Sequence, residues 1–343
     1  MNERKSQDGV RGLLDPRRLL VFAEVARSGS LAAAAQALGW TQPAVAQHVK
    51  RLERDTGCTL VIRTSRGVTL TEAGRSLATH ADAITARLRA ARADLDALTD
   101  LRAGRVRLAA FPSSCATFVP AAIALLRERA PGLDVRLTEA EPDEARRLLT
   151  TGDADLAVTF DYDNVPNTPA EPARTPLFDD PMLLVLPSGH PLADRTDTDL
   201  ADAADQRWIA GCPRCRTHLT TAAAGHGFLP DVRHSTDDYV VTQTLVATGL
   251  GVALLPALAL EAARDPQVTT VGLRRHTPRR VSLISPADMP PSPATAAATT
   301  ALIDVTSPRR TAEPKEERDE CLPRDRAAVR AAELEPWRPT QDG

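Results

Sequence analysis

Aromatic residues are scarce, at 3% of a 343-residue chain. No core here can rest on large rings, so Leu, Val, Ile and Ala must fill it. There are five cysteines, an odd number. That argues against a disulfide framework and fits a reducing compartment. Long apolar runs are also missing. The longest, 249–260, contains Pro256 and is too short to cross a bilayer, so no membrane partner is expected. The first residues are polar and lack the apolar centre of a secretory signal. The expectation is therefore a cytoplasmic protein. Strong charge of either sign is absent too: the net charge is -3. The whole molecule does not read as a nucleic-acid binder, but a small basic module can hide inside a neutral total.

A local pattern stands out against this background. The stretch "GSLAAAAQALGWTQPAVAQHVKRLERDTG" (29–57) holds two helical patterns split only by Gly39 and a Thr-Gln-Pro. A helix before them opens at Asp15-Pro16 and repeats Leu19, Phe22, Ala23 and Ala26 at helical spacing. Ser30 is placed to cap the second helix and Thr41 the third. In the third helix Val45, Val49 and Leu52 form the inward stripe. Pro43, Gln47, Lys50 and Arg54 then point outward, with Ala46 and Arg51 beside them. Two short β-like runs, 59–63 and 67–70, follow and read as a hairpin wing with Arg63 and Arg66 near its tip. From Thr71-Glu72 the residues Leu77, Ala81, Ile84, Leu88, Ala91, Leu95 and Leu98 alternate in steps of four and three. That is a coiled-coil seam, and it predicts a dimer.

Beyond Gly104 strands alternate with helices, which argues an α/β (multidomain) class with a largely parallel sheet. The length left after one small sheet predicts two lobes. The division expected is a disordered lead over 1–14, a winged helix-turn-helix over 15–72, and a linker (dimerisation) helix over 73–103. A two-lobed α/β domain over 104–305 and a disordered tail over 306–343 complete it.

The segment "SLAAAAQALGWTQPAVAQHVKRLERDTGCTLVIRTSRGVTLTEAG" (30–74) closely resembles the LysR-type transcriptional regulators. "LVATGLGVALLP" (245–256) resembles that family's effector-domain signature more loosely. The resemblance implies a dimeric or tetrameric repressor or activator. It also implies two Rossmann-like lobes, similar to periplasmic binding proteins, with a small-molecule cleft between them. The chain departs from the family at Ala46, where Ser is usual, at Val61-Ile62, where Leu-Phe is usual, and in its long C-terminal tail.

The partners expected are double-stranded DNA, a small-molecule effector and a second copy of the chain. On the recognition helix Thr41 is the cap, Gln42, Pro43 and Gln47 lie near bases, and Lys50, Arg51, Arg63 and Arg66 meet phosphates. The plain alternative is a solvated helix face. Ser113 and Ser114 sit at a strand-to-helix turn that can hold an anion, or that merely caps the helix. The resemblance favours the first, because effectors in the family commonly meet this turn. Thr159, Phe160, Thr236 and Asp237 are the other candidate cleft residues. "CPRCRTH" (212–218) brings Cys212 and Cys215 to a helix start, flanked by Arg214 and Arg216. They could form a thiol-based redox sensor, or simply line the cleft. With His218, His226 or His234 they could hold a metal, but no second C-x-x-C completes a zinc site. No catalytic triad, Walker loop or G-x-G-x-x-G stands out. An enzyme or solute-binding protein tethered by the N-terminal domain is the competing class. No enzyme activity, cofactor or metal is expected.

Overall fold

In the computed structural model the described residues are 14–65, 67–99, 104–163, 173–274, 278–286 and 291–310. Residues 1–13 of the expected lead and most of the expected tail lie outside them, as does Arg66, while Leu14 packs against the N-terminal core.

The N-terminal unit is built from α1 (Pro16–Ser28), α2 (Leu31–Leu38) and α3 (Gln42–Thr56), then the hairpin of β1 (Val61–Thr64) and β2 (Gly67–Leu70). Asp15 caps α1 through Arg17 N–H, and Ser30 caps α2 through Ala33 N–H at 3.0 Å. Gly29, Gly39 and Gly57 close the three helices in the left-handed conformation that glycine adopts without strain. Phe22, Val25, Ala34, Val45 and Leu52 are fully buried between the helices. Thr41 occupies the cap position of α3, but its hydroxyl makes no cap bond.

The linker helix α4 (Glu72–Thr99) shows why the seam is only partly an interface. Ala81, with Leu77 and Ile84, packs on Leu19, Phe22, Leu52 and Leu60 of its own domain. Leu88 and Leu95 are 49% and 60% exposed. Leu77, Ala81 and Ile84 thus close the winged domain, whereas Leu88 and Leu95 lie on exposed surface. Midway, Ala86 lies so close to Gly152 that a side chain at 152 would sit 2.6 Å from the Ala86 Cα. Arg89 donates to Thr151 O at 3.0 Å and pairs with Asp153.

The first lobe begins with β3 (Arg105–Ala110), the one-turn α5 (Pro112–Cys115), α6 (Phe118–Arg129), β4 (Asp134–Glu139), α7 (Pro142–Thr150) and β5 (Leu156–Asp161). The chain then runs through β6 (Ala173–Asp180) and crosses at Pro181 into β7 (Met182–Pro187). The second lobe continues with β8 (Asp197–Thr198), β9 (Arg207–Ala210), α8 (Pro213–Gly225), β10 (Asp231–Ser235), α9 (Tyr239–Ala247), β11 (Val252–Pro256), α10 (Ala257–Ala262) and β12 (Val268–Leu273). The return strand β13 (Arg279–Ser285) and α11 (Pro293–Arg310) complete the first lobe. Helix α11 passes the expected boundary at 305 and is tied down by Arg309, which pairs both oxygens of Glu261.

The two sheets have strand orders β4-β3-β5-β13-β6 and β10-β9-β11-β7-β12-β8. Contrary to expectation, both are mixed rather than largely parallel: β4-β3-β5, β10-β9-β11 and β12-β8 are parallel, and the remaining pairings are antiparallel. Strand β13 runs antiparallel to both neighbours, and so does β7. The two crossings between lobes bring the chain into each sheet from the opposite end. Strands β6 and β12 were illegible for local reasons. The first carries Pro176 and survives because it is an edge strand, and the second is interrupted by Gly272.

Candidate functional sites: a basic helix face and an interlobe polar cluster

Along α3 the residues Thr41, Gln42, Pro43, Gln47, Lys50, Arg51 and Arg54 are all exposed, while Val45, Val49 and Leu52 are buried. Both late carboxylates of this helix are engaged elsewhere. Glu53 accepts from Leu60 N–H at 2.8 Å and Val61 N–H at 3.2 Å, and so fastens the start of the wing. Asp55 pairs with Arg18. The outward face therefore presents amides and cations without an adjacent free carboxylate. Arg63, exposed on β1, reaches the same side and joins Ala46, Val49 and Lys50 in lining a groove of about 340 Å³. The wing is held by Val68 N–H to Gly29 O at 2.8 Å. Gly67, at φ 136, allows this approach, since a Cβ there would lie 2.5 Å from Gly29 O. Trp40, absent from the sequence-based set, packs on His48 with ring centroids 5.1 Å apart and braces the turn before α3.

The second site lies where the lobes meet. Arg279 opens β13 and is completely buried. Its Nε donates to Asp180 at 2.8 Å and its Nη2 to Ser113 Oγ at 2.6 Å. Its guanidinium lies 4.5 Å from the Phe160 ring centroid and 4.8 Å from that of Phe111. Burial works most strongly against its charge, but Asp180, Tyr239, Tyr162 and Cys215 together outweigh that, and its pKa stands above the ordinary arginine value. Its Nη1 has no hydrogen-bond partner. Burial pushes the neighbouring Tyr239 hydroxyl up to about 12, although Arg279 pulls the other way.

Beside this cluster a buried carboxylate ties the lobes together. Asp161, at the end of β5, receives Arg146 Nη2 at 2.7 Å, Arg174 Nη1 at 2.5 Å and Arg214 Nη1 at 3.1 Å. Arg214 comes from α8 of the second lobe and also reaches Asp143 at 2.8 Å. Three guanidiniums around one carboxylate satisfy it fully and make this contact a strong joint between lobes.

The expected cleft residues are not gathered at one point. Ser113 and Phe160 touch Arg279. The Ser114 hydroxyl is spent on Phe111 O at 2.6 Å. The N–H groups of Ser114 and Cys115 also bond Phe111 O, so the turn offers fewer free donors than its position implies. Thr159 faces the opposite side of β5 from Phe160, buried, with its hydroxyl unpartnered. Thr236 and Asp237 line a separate cavity of about 440 Å³ with Gly211, Pro213, Arg216 and Ser235. Cys212 and Cys215 stand between the two groups, with sulfurs 3.0 Å apart. Tyr162, whose hydroxyl is 3.6 Å from Cys215 Sγ, stacks on His218 at 3.8 Å. His226 is turned to Ala222 O instead. Among the described residues no group of three or more Cys, His, Asp or Glu side chains is placed to hold a metal.

Sequence reasoning missed Arg279, Asp180 and Asp161, and named Arg214 only as a neighbour of the thiols. The available signal was charge where a strand should be apolar. Arg279 begins the apolar run of β13, and Asp161 ends an otherwise apolar β5.

A basic helix face with a wing, joined by a long helix to two α/β lobes, defines a winged helix-turn-helix transcription regulator with a sensor domain. Comparison with known proteins agrees. Residues 16–75 match the bacterial regulatory helix-turn-helix protein family, lysR type, and residues 99–307 match the LysR substrate binding domain. The chain belongs to the LysR family of DNA-binding transcriptional regulators. It is 32% identical to a probable hydrogen peroxide-inducible genes activator of Mycobacterium avium, over 72% of this chain and 80% of that one. It is also 32% identical to the RuBisCO operon transcriptional regulator of Allochromatium vinosum, over 56% of this chain and 62% of that one. The fold matches a full-length OxyR C199D variant from Pseudomonas aeruginosa with a TM-score of 0.60 at 21% identity, covering 88% and 99% of the two chains. The matched families are of regulators, not of enzymes. Among the described residues no helix is long and apolar enough to cross a membrane.

Proposed function

We propose that this chain is a ligand-responsive regulator that acts on double-stranded DNA in the cytoplasm as a dimer or a pair of dimers. Gln42, Pro43 and Gln47 read base edges from α3. Thr41, Lys50, Arg51, Arg63 and Arg66 hold phosphates. A second copy covers Leu88 and Leu95 of the linker helix. A small anionic effector enters between the lobes beside Ser113 and Phe160, with Thr236 and Asp237 lining a second cavity.

The observation that carries the effector reading is the unpartnered Nη1 of the buried Arg279, next to Ser113. A buried guanidinium with an open donor favours a carboxylate or phosphate. Such a ligand switches transcription by binding one arrangement of the lobes better than another. Calorimetry of the full chain against a panel of small carboxylates and phosphate esters tests this. Binding by the wild type that weakens at least tenfold in Ser113→Ala supports the reading. Binding that Ser113→Ala and Thr236→Ala both leave undiminished places the ligand elsewhere.

A further inference from the structure

We infer that Cys212 and Cys215 close to a reversible disulfide when the protein meets a small hydroperoxide, and that closure loosens the joint between the lobes. The chemistry stands on the geometry of the pair, and only its transcriptional readout rests on the DNA-binding reading above. The sulfurs are already 3.0 Å apart across the first turn of α8. Cys212 is its cap, and its sulfur accepts Cys215 N–H at 3.4 Å. A C-x-x-C at a helix start has the Cα spacing that a disulfide requires. Gly211 packs directly on Cys215 and also lines the cavity of about 440 Å³. A small peroxide can therefore approach Cys215 from that side.

The two thiols are differentiated. The hydrogen bond from the Cys212 thiol holds the Cys215 pKa down against burial, with Tyr162 and Arg279 assisting. The same bond, with burial, pushes the Cys212 thiol up. Cys215 is thus the nucleophile and Cys212 the resolving thiol. Cys215 sulfur attacks a peroxide oxygen: an S–O bond forms, the O–O bond breaks, and the alcohol or water leaves with a proton. Cys212 sulfur then attacks the sulfenic sulfur. The S–S bond forms, the S–O bond breaks, and hydroxide leaves as water with the Cys212 proton. Two thiols and one hydroperoxide give one disulfide, one alcohol and one water.

Arg214 lies inside the ring that this bond would close. Its guanidinium is the second lobe's grip on Asp161 and Asp143. Tightening the turn on either side of Arg214 displaces that grip.

The test uses the full chain, reduced, desalted and exposed to hydrogen peroxide or tert-butyl hydroperoxide. Trypsin cleaves after Arg214, between the cysteines, so only a Cys212–Cys215 disulfide keeps fragments 208–214 and 215–216 together. Oxidation of the exposed Cys58 does not produce that species. The expected result is the linked fragment, lost in Cys215→Ser, with a dimedone-trapped sulfenic acid on Cys215 in Cys212→Ser. Operator affinity should change at least fivefold on oxidation, recover with dithiothreitol, and stay unresponsive in the double Ser variant. Absence of the linked fragment overturns the inference. A linked fragment with unchanged operator affinity overturns the coupling to the lobes. If the reduced protein binds no operator while the linked fragment forms, the DNA-binding reading fails and the thiol chemistry stands.

Discussion

Replacing Asp180 with Asn should unfold the sensor lobes far more easily than its conservative appearance implies. Asp180 is 2% exposed, and Arg279 has no exposed surface. Their N···O separation is 2.8 Å. At an effective dielectric of about 20, unit charges about 4 Å apart attract by about 4 kcal/mol. Removing one partner leaves the other buried and uncompensated, at a cost of about 3–5 kcal/mol. Asn also turns an N–H toward a donor, because the two Asp180 oxygens serve Arg279 and Leu258 N–H. With an m-value near 2 kcal/mol per molar urea, the midpoint should fall by about 1.5–2.5 M. Urea titration followed by Trp208 fluorescence reads this, since Trp208 is fully buried in the second lobe. Asp180→Leu combined with Arg279→Met should recover at least half of the loss, because apolar side chains need no counter-charge. A cost below about 1 kcal/mol for Asp180→Asn, or strictly additive losses in the double variant, would refute the reasoning.

Other outcomes follow from the same structure. Leu88→Asp with Leu95→Asp should make the full chain monomeric in sedimentation while its winged domain stays folded, because neither residue belongs to the N-terminal core. Glu53→Ala removes an acceptor for two wing N–H groups and should destabilise the N-terminal domain by about 1–3 kcal/mol in thermal unfolding. Burial raises the Glu141 pKa, chiefly by desolvation, so the folded state holds its proton more tightly than the unfolded state does. The stability from that proton is complete below the unfolded value near 4.5 and is lost as pH rises through the higher folded value. Glu141→Gln should therefore exceed the wild type in stability at neutral pH, and the two should converge below about pH 4.5.

The N-terminal half of the chain was legible because each of its signals is local. Asp15, Ser30, Gly29 and Gly39 punctuate helices by capping chemistry that acts within a few residues. Val45, Val49 and Leu52 then orient α3 by periodicity alone. The linker seam was half legible, because a heptad does not say whether it faces its own domain or another copy. The interlobe site was mostly illegible. Arg279 meets Ser113 across 166 residues of sequence and Asp180 across 99. Nothing local marks such partners. The thiol pair was the exception, since its spacing of three is a local feature of a helix start.

Helix α3 and the wing are expected to bind DNA in two distinct ways. This is tested most directly by measuring the affinity of the full chain for the promoter region beside its own gene, for operator variants and across several salt concentrations. Gln47→Ala should relax preference at one or two base pairs, by about 1–3 kcal/mol each, with the salt slope unchanged. Arg63→Ala should weaken every sequence alike and lower the slope by about one unit. A wild-type affinity that neither falls with salt nor distinguishes operator from random DNA would contradict this expectation.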